Sequence, residues 1–480
     1  MSSDMGDEKV VVEKETPQMR RSLSLFHVVA LLVSITGHVA IFITPGSIVE
    51  MSGSVVSTLV IYGIGTFVVY SLALCFAELG TIFQGAGGPY VYLALTFGNI
   101  YGFLIAWGYI VLISGPFVAF ASQTAALYII RAIFPNMDCQ NKWYDFSMVL
   151  LSGWILVTLF YMNCFYLKTL LRIQSILTMC KMVAIGIVIG AGVYIIATQS
   201  PENFQKPLEG SVTNPGHISV ALLYVIFSNG GWQAVTTLTE EVKNPAQTLP
   251  RAIQLTFGIN IVLIVLTYIA YMSVLDMSEI VETRAIAILF CQRVWEPLVP
   301  VVSALVALAC IGALNTGLMG HSRVLYAAAR KGDMPSVLGT LHPTSRTPMV
   351  AVFAITTYGG VMALTGATTL FMQFIGLYSL IMGLKVVLAL LYLRYKKPEL
   401  SRPYKVPILF PLLQVVVCVG LMFLILVQEP VSMFGGLLIY LAGFPIYWVC
   451  VTWKNKPKSF GKAIGKITSV IQKLFVQVPG

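Results

Sequence analysis

The stretch Tyr224-Val225-Ile226-Phe227-Ser228-Asn229-Gly230-Gly231-Trp232-Gln233 decides how this chain is read. It starts as an apolar helix and then spends four residues on Ser-Asn-Gly-Gly. A helix carries these types at a cost, about 1 kcal/mol per glycine relative to alanine. A second stretch behaves alike. In Leu31-Leu32-Val33-Ser34-Ile35-Thr36-Gly37-His38-Val39-Ala40-Ile41-Phe42-Ile43-Thr44-Pro45 the centre holds Ser, Thr, Gly and His, and the end holds Pro.

Composition puts both stretches in lipid. Hydrophobic residues are 57% of the chain and charged residues 10%, too little charge to cover the surface of a water-soluble protein. In a bilayer the apolar faces need no cover. Twelve apolar segments approach the roughly 20 residues a span requires: about 25–49, 54–79, 98–130, 147–166, 173–198, 217–238, 251–274, 297–327, 348–366, 369–393, 407–427 and 433–453. The expectation is an all-α polytopic membrane protein with twelve transmembrane helices. The first apolar run follows a polar stretch and has no small-residue cleavage site, so it is expected to serve as its own insertion signal.

With twelve spans both termini face the cytoplasm. Loops then assigned inside hold twenty-three of the thirty Lys and Arg residues, those assigned outside hold five, and Lys181 and Lys385 lie within spans. That bias follows the positive-inside rule. The net charge of +10 therefore reports orientation, and no nucleic-acid partner is expected. The eight cysteines show no metal spacing, and most lie in spans as small packing residues. No Asn-x-Ser/Thr acceptor occurs, so N-glycosylation is not expected. No nucleotide-binding glycine motif, metal cluster or Ser-His-Asp arrangement suggests an enzyme, and no cofactor is implied. The segment Ser459–Val478 spaces Ile464, Ile467, Val470, Ile471 and Leu474 helically with Lys462, Lys466 and Lys473 between them. It suits a basic helix on the inner membrane surface or a solvated tail.

The two interrupted segments are spans 1 and 6, five apart. Interruptions at corresponding positions of two halves point to a transporter's binding site, and an odd number of spans per half makes the halves inverted. Two packing kinks are the alternative.

Several motifs share a source. Ala77-Glu78-Leu79-Gly80 with Gly85-Ala86-Gly87-Gly88-Pro89-Tyr90-Val91-Tyr92 resembles the loop after span 2 of the L-type amino-acid transporters, light chains of heteromeric transporters in the amino acid–polyamine–organocation superfamily. Gly230-Gly231-Trp232 with Thr239-Glu240-Glu241-Val242-Lys243-Asn244-Pro245 and Leu249-Pro250-Arg251-Ala252-Ile253 is similar to that family's span 6 and its exit. Ala313-Leu314-Asn315-Thr316-Gly317 through Ser322-Arg323, with Ala329-Arg330-Lys331-Gly332-Asp333-Met334-Pro335, resembles span 8 and its loop. Arg394-Tyr395-Lys396-Lys397-Pro398-Glu399 with Arg402-Pro403 resembles the loop between spans 10 and 11. The pieces stand in order across 22–455.

The resemblance implies a LeuT-like fold. A 5+5 inverted repeat would occupy 25–198 and 217–393, with two extra helices at 407–453 and cytoplasmic tails at 1–24 and 454–480. It implies a multi-pass protein of the plasma membrane that exchanges amino acids by alternating access. It also raises a disulfide-linked, single-span heavy-chain glycoprotein as partner. Family light chains that pair so carry a cysteine two residues nearer the Phe-Pro than Cys139 stands in Phe134-Pro135-Asn136-Met137-Asp138-Cys139. Cys139 is either that bridge or a free thiol.

A zwitterion in a low-dielectric site needs donors for its carboxylate and acceptors for its ammonium, and broken helices supply both at their ends. Backbone at Gly37, His38, Val39 and Ala40 is expected to meet the carboxylate. Carbonyls near Thr36 and at Phe227 are expected to meet the ammonium, with Ser228, Asn229, Gly230 and Gln233 beside the substrate. Phe227 matches the family's aromatic gate, and Trp232 reads as a packing wedge. His38-Val39-Ala40 departs from the family, whose small-Ser-Gly step here bears three side chains. That bulk implies a narrower pocket, a different substrate or a loss of transport. His38 is either a proton-sensitive group or a neutral ring bonded to backbone. Lys181, about 13 Å from the inner end of span 5 at 1.5 Å per residue, is a functional candidate by its cost in the membrane. Similar family members place an ammonium here instead of sodium, bridging spans 1 and 5. Lys385 is expected to snorkel inward. No acidic side chain accompanies the site, which points to neutral amino acids; the resemblance implies large or aromatic ones, and an ammonium at Lys181 in the place of sodium implies sodium-independent transport. A sensor that binds an amino acid without turnover is the rival, and a channel a weaker one.

Overall fold

The computed structural model describes residues 23–479 apart from 37–39, 84–86, 135–141, 200, 238, 284, 454–457 and 476. Gly37, His38, Val39 and Cys139 thus lie outside the described residues. In chain order the helices are α1 (Leu25–Ile35), α2 (Pro45–Ser52), α3 (Val55–Ile82), α4 (Pro89–Phe97), α5 (Asn99–Gly108), α6 (Gly115–Ile133), α7 (Lys142–Phe165), α8 (Leu167–Thr198), α9 (Pro215–Ser228), α10 (Gln233–Thr237), α11 (Pro245–Val274), α12 (Met277–Glu282), α13 (Ile286–Val294), α14 (Leu298–Arg330), α15 (Met349–Ala363), α16 (Thr368–Lys396), α17 (Leu409–Gln428), α18 (Pro430–Leu441), α19 (Gly443–Tyr447) and α20 (Lys458–Leu474).

Ten helical stretches among the described residues are long and apolar enough to cross a membrane, which makes this a multi-pass integral membrane protein. Helices α5 and α6 form one such stretch, joined through a π-helical turn at Tyr109–Ser114. Helices α9 and α15 are apolar but shorter, at 14 and 15 residues. Helix α9 is short because the chain leaves the helix at Asn229.

Exposure sorts the helices into layers. Helix α14 packs along α6, and with α16 they form the centre. At the periphery α7 turns Trp143, Phe146, Leu150, Trp154 and Val157 outward, and α17 turns Val416, Val419 and Phe423 outward. Apolar faces this extensive mark contact with lipid.

Helix α1 stops at Ile35, where Thr36 takes an extended conformation (ψ 132°). A 3₁₀ turn covers Ala40–Phe42, and α2 then starts with Pro45 in its first turn. Helix α9 stops at Ser228, Gly231 adopts φ +90°, and α10 begins at Gln233. The two interruptions touch: a Cβ on Gly231 would sit 2.7 Å from Ile35 Cγ1 and 3.0 Å from the Ile35 carbonyl oxygen. Both the left-handed backbone and this approach require glycine.

One end of the bundle is tied by polar contacts. Leu23, just before α1, pairs with Val242 in a parallel bridge: its N–H donates to the Glu241 carbonyl (3.0 Å), and its carbonyl accepts from Lys243 N–H (2.8 Å). Arg323 Nε donates to Glu241 Oε1 at 3.1 Å, and Arg323 is 3% exposed. At the same end buried Glu78 accepts from both Arg394 and the Val406 N–H, the latter at 2.8 Å. Asp333 accepts from the Tyr90 hydroxyl at 2.7 Å.

The tail contains the expected helix, α20, with Val470 and Leu474 exposed. Beyond it the chain is pinned. Val478–Pro479 pairs antiparallel with Thr340–Leu341, and the Phe475 ring lies against Phe160 and Phe353.

Candidate functional site

Lys181 projects from α8 to the broken end of α1. Its Nζ donates to the carbonyls of Val33 (2.6 Å) and Thr36 (3.1 Å), and the residue is 2% exposed. A helix end leaves its last carbonyls without intrahelical partners, and here an ammonium takes two of them. Asn260 Nδ2 from α11 also donates to the Thr36 carbonyl, at 3.3 Å. That oxygen, expected to serve a ligand's ammonium, is held by two protein donors. The Thr36 hydroxyl is buried with no hydrogen-bond partner.

Beside this runs a buried amide chain. Gln174 Nε2 donates to Ser34 Oγ (2.7 Å) and to the Gly312 carbonyl (3.1 Å). Asn315 Nδ2 donates to Gln174 Oε1 (2.7 Å), and Asn163 Nδ2 to Asn315 Oδ1 (3.0 Å). Through it α7, α8 and α14 fix the position of α1.

A small cavity lies between the two breaks. Ile35, Ile113, Phe117, Phe227 and Ile375 form its apolar walls, and Gly230 and Gly231 expose backbone to it. Tyr109, Gln233, His321 and Ser379 supply its polar groups. No lining residue carries a carboxylate, an ammonium or a guanidinium. Phe227 is 2% exposed and meets Phe120 edge-on (5.2 Å between centroids, 87°), so it does not face lipid. Gln233 Oε1 accepts from Gly231 N–H at 3.0 Å, which steadies the start of α10.

Other candidates fall elsewhere. Ser228 Oγ pairs with the Tyr62 hydroxyl (2.9 Å). Asn229 Nδ2 donates to Tyr62 (3.3 Å), Thr66 (3.2 Å) and the Val225 carbonyl (3.1 Å). Both side chains face α3, and neither lines the cavity. Ala40 is buried, and its carbonyl accepts from Ile43, Thr44 and the Thr44 hydroxyl. Trp232 is a buried wedge against Phe76 (4.8 Å, 85°). Lys385 corrects the expectation that it snorkels: its ammonium donates to the Tyr440 hydroxyl and lies 4.7 Å from that ring's centroid. A phenol and an aromatic face, within the bundle, satisfy the charge.

His321 is absent from the sequence expectations. The signal for it existed, since a histidine inside a span is a functional candidate by the rule that singles out Lys181.

Two broken helices meeting at a closed cavity, with an ammonium at one break, are the decisive geometry, and comparison with known proteins agrees. The amino acid permease family matches residues 23–451. The chain belongs to the amino acid permease family. Among similar proteins, the human cystine/glutamate transporter is 30% identical over 467 residues, 97% of this chain and 92% of that protein. The human large neutral amino acids transporter small subunit 2 is 29% identical over 469 residues, covering 96% and 86%. The human Asc-type amino acid transporter 1 is 28% identical over 472 residues, covering 97% and 89%. The resemblance to L-type light chains is thereby supported along the whole length, and the class of activity is amino-acid transport.

Proposed function

We propose that this permease exchanges neutral L-amino acids across the plasma membrane without sodium, by alternating access around the two broken helices. The observation that carries the reading is Lys181 Nζ on the carbonyls of Val33 and Thr36. A fixed ammonium there performs the electrostatic work that a sodium ion would do at a broken helix, so the cycle needs no cation gradient.

The ten long spans together with α9 and α15 support a count of twelve. In that count α1–α8 and α9–α16 form the inverted repeats, and α17 and the α18–α19 stretch add two spans. Backbone at 37–40 receives the substrate carboxylate. Carbonyls at the end of α9 receive its ammonium, Phe227 among them through the lone pair left beside its bond from Gly230 N–H (2.9 Å); the Thr36 carbonyl contributes less, since both Lys181 and Asn260 hold it. The lack of a charged side chain in the cavity favours neutral substrates. Phe227 gates the outer side. The Arg323–Glu241 pair and the Leu23–Val242 bridge close the cytoplasmic side, where both termini lie. The small-subunit name of one relative supports a heavy-chain glycoprotein partner, for which Cys139 would be either the bridging thiol or a free one.

The test is exchange in proteoliposomes. Liposomes loaded with unlabelled leucine should take up radiolabelled leucine faster than empty ones, equally in sodium and in choline. Binding without trans-stimulated flux would favour a sensor, which bulk at His38-Val39-Ala40 also suits.

A further inference from the structure

His321 stands on α14 one helical turn beyond Gly317, whose missing Cβ admits the Phe117 ring: a Cβ there would lie 2.3 Å from Phe117 Cε1. Phe117 in turn meets the imidazole edge-on at 5.4 Å and 76°, and Tyr109 meets it at 5.3 Å and 89°. The Thr237 hydroxyl donates to the neighbouring Gly320 carbonyl at 3.1 Å, fixing α14 against α10 at this level. The ring is therefore held by packing. It is 3% exposed, it lines the cavity, and its Nδ1 is buried with no hydrogen-bond partner.

Buried polar atoms are nearly always paired, and leaving one unpaired is costly. An unpaired nitrogen on a ring that lines a binding cavity points to a partner on the ligand. A neutral imidazole offers one donor and one acceptor. Its complement is a group with both, a carboxamide or a hydroxyl. Two further groups favour the same ligand. Gln233 spends its Oε1 on Gly231 N–H, which leaves its NH₂ as a donor. Ser379 Oγ donates to the Ile375 carbonyl at 2.7 Å, which leaves its lone pairs as acceptors. Between them stand the apolar walls Ile113, Phe117 and Phe227.

We propose that His321 is a specificity-determining residue, which hydrogen-bonds the substrate's side chain and selects neutral amino acids bearing a carboxamide or hydroxyl over hydrocarbon or thioether side chains of the same size. The proposal rests on the reading of this cavity as the substrate site. A site built to pair a polar group discriminates against the analogue that lacks it.

The test is competition against radiolabelled leucine exchange by the full-length protein in proteoliposomes, with glutamine and asparagine set against methionine and valine. If the wild type exchanges no amino acid, the transport reading fails before any variant is compared. Given exchange, His321→Leu should weaken glutamine and asparagine by about tenfold and leave methionine within about twofold, the size expected for one lost buried hydrogen bond. His321→Gln, which keeps a donor and an acceptor, should restore most of the difference. Equal changes for polar and apolar competitors, or none, would overturn the proposal. Should His321→Leu not fold, wild-type thermal stabilisation decides: glutamine must raise the melting temperature more than methionine at equal concentration, and equal shifts overturn it.

Discussion

Lys181 Nζ lies 2.6 Å from the carbonyl oxygen of Val33, across the gap between α8 and the broken end of α1. The contact joins the two most costly features of this chain, an intramembrane charge and a helix end without hydrogen-bond partners. Each satisfies the other. Replacing Lys181 by Met should leave the Val33 carbonyl buried and unpaired, at a cost of about 1–3 kcal/mol. We expect exchange to fall at least tenfold and the melting temperature to drop. Lys181→Arg should not restore exchange, because a planar fork does not fit where a point charge sits. Flux at wild-type level in Lys181→Met would remove the ammonium from the mechanism.

Gly231 tests the contact between the breaks. Its φ of +90° and the 2.7 Å approach to Ile35 leave no room for a Cβ. Gly231→Ala should destabilise by about 1–3 kcal/mol and abolish exchange. Gly63→Ala, inside α3 with open space around it, should leave exchange unchanged and raise stability by up to about 1 kcal/mol. Denaturation midpoints and flux measured on the two variants check this directly.

In the Arg323–Glu241 pair the guanidinium is buried and the carboxylate half-buried, so removing the carboxylate leaves a buried charge without its ion-pair partner, a loss of about 1–3 kcal/mol. Because the pair joins α14 to the segment after α10, the loss should fall on the state closed at that end. Glu241→Gln should shift the resting protein toward opening there, read as faster labelling from the inside of a cysteine placed at Ser379. Unchanged labelling would mean that the pair is structural and not a gate.

The gating role proposed for Phe227 rests on its place in the cavity wall and its edge contact with Phe120. Phe227→Ala should raise the KM for leucine several-fold and let substrate leak without exchange, while Phe227→Tyr keeps near-wild-type kinetics. Equal kinetics in Phe227→Ala would contradict the gating role.

What sequence could and could not reveal follows from the range of the forces involved. The break at Ser228-Asn229-Gly230-Gly231 was legible because helix propensity is local, and Lys181 because a charge in an apolar run is conspicuous at any distance. The direction of Ser228 and Asn229 was not. It depends on how α9 is rotated against Tyr62 and Thr66 of α3, a through-space relation with no local signature. Lys385 was misread for the same reason, since the Tyr440 phenol that holds it comes from a later helix. His321 is conspicuous as a histidine within a span, but its placement follows from Tyr109 and Phe117 on its neighbours. The pinned C-terminus depends on a two-residue strand pair too short to recognise in advance.

The central claim is that the amino acid sits between the breaks of spans 1 and 6, beside Lys181. A structure of the full-length protein in lipid nanodiscs, determined with a transported amino acid and without sodium, tests it most directly. The expected result is ligand density in the cavity between Gly230 and Phe117, its carboxylate on backbone N–H groups of 37–40 and Lys181 still on the Val33 carbonyl. Density in another cavity, such as the apolar crevice by Ile64, Leu222 and Val416, or a Lys181 ammonium displaced from the Val33 carbonyl, would contradict it.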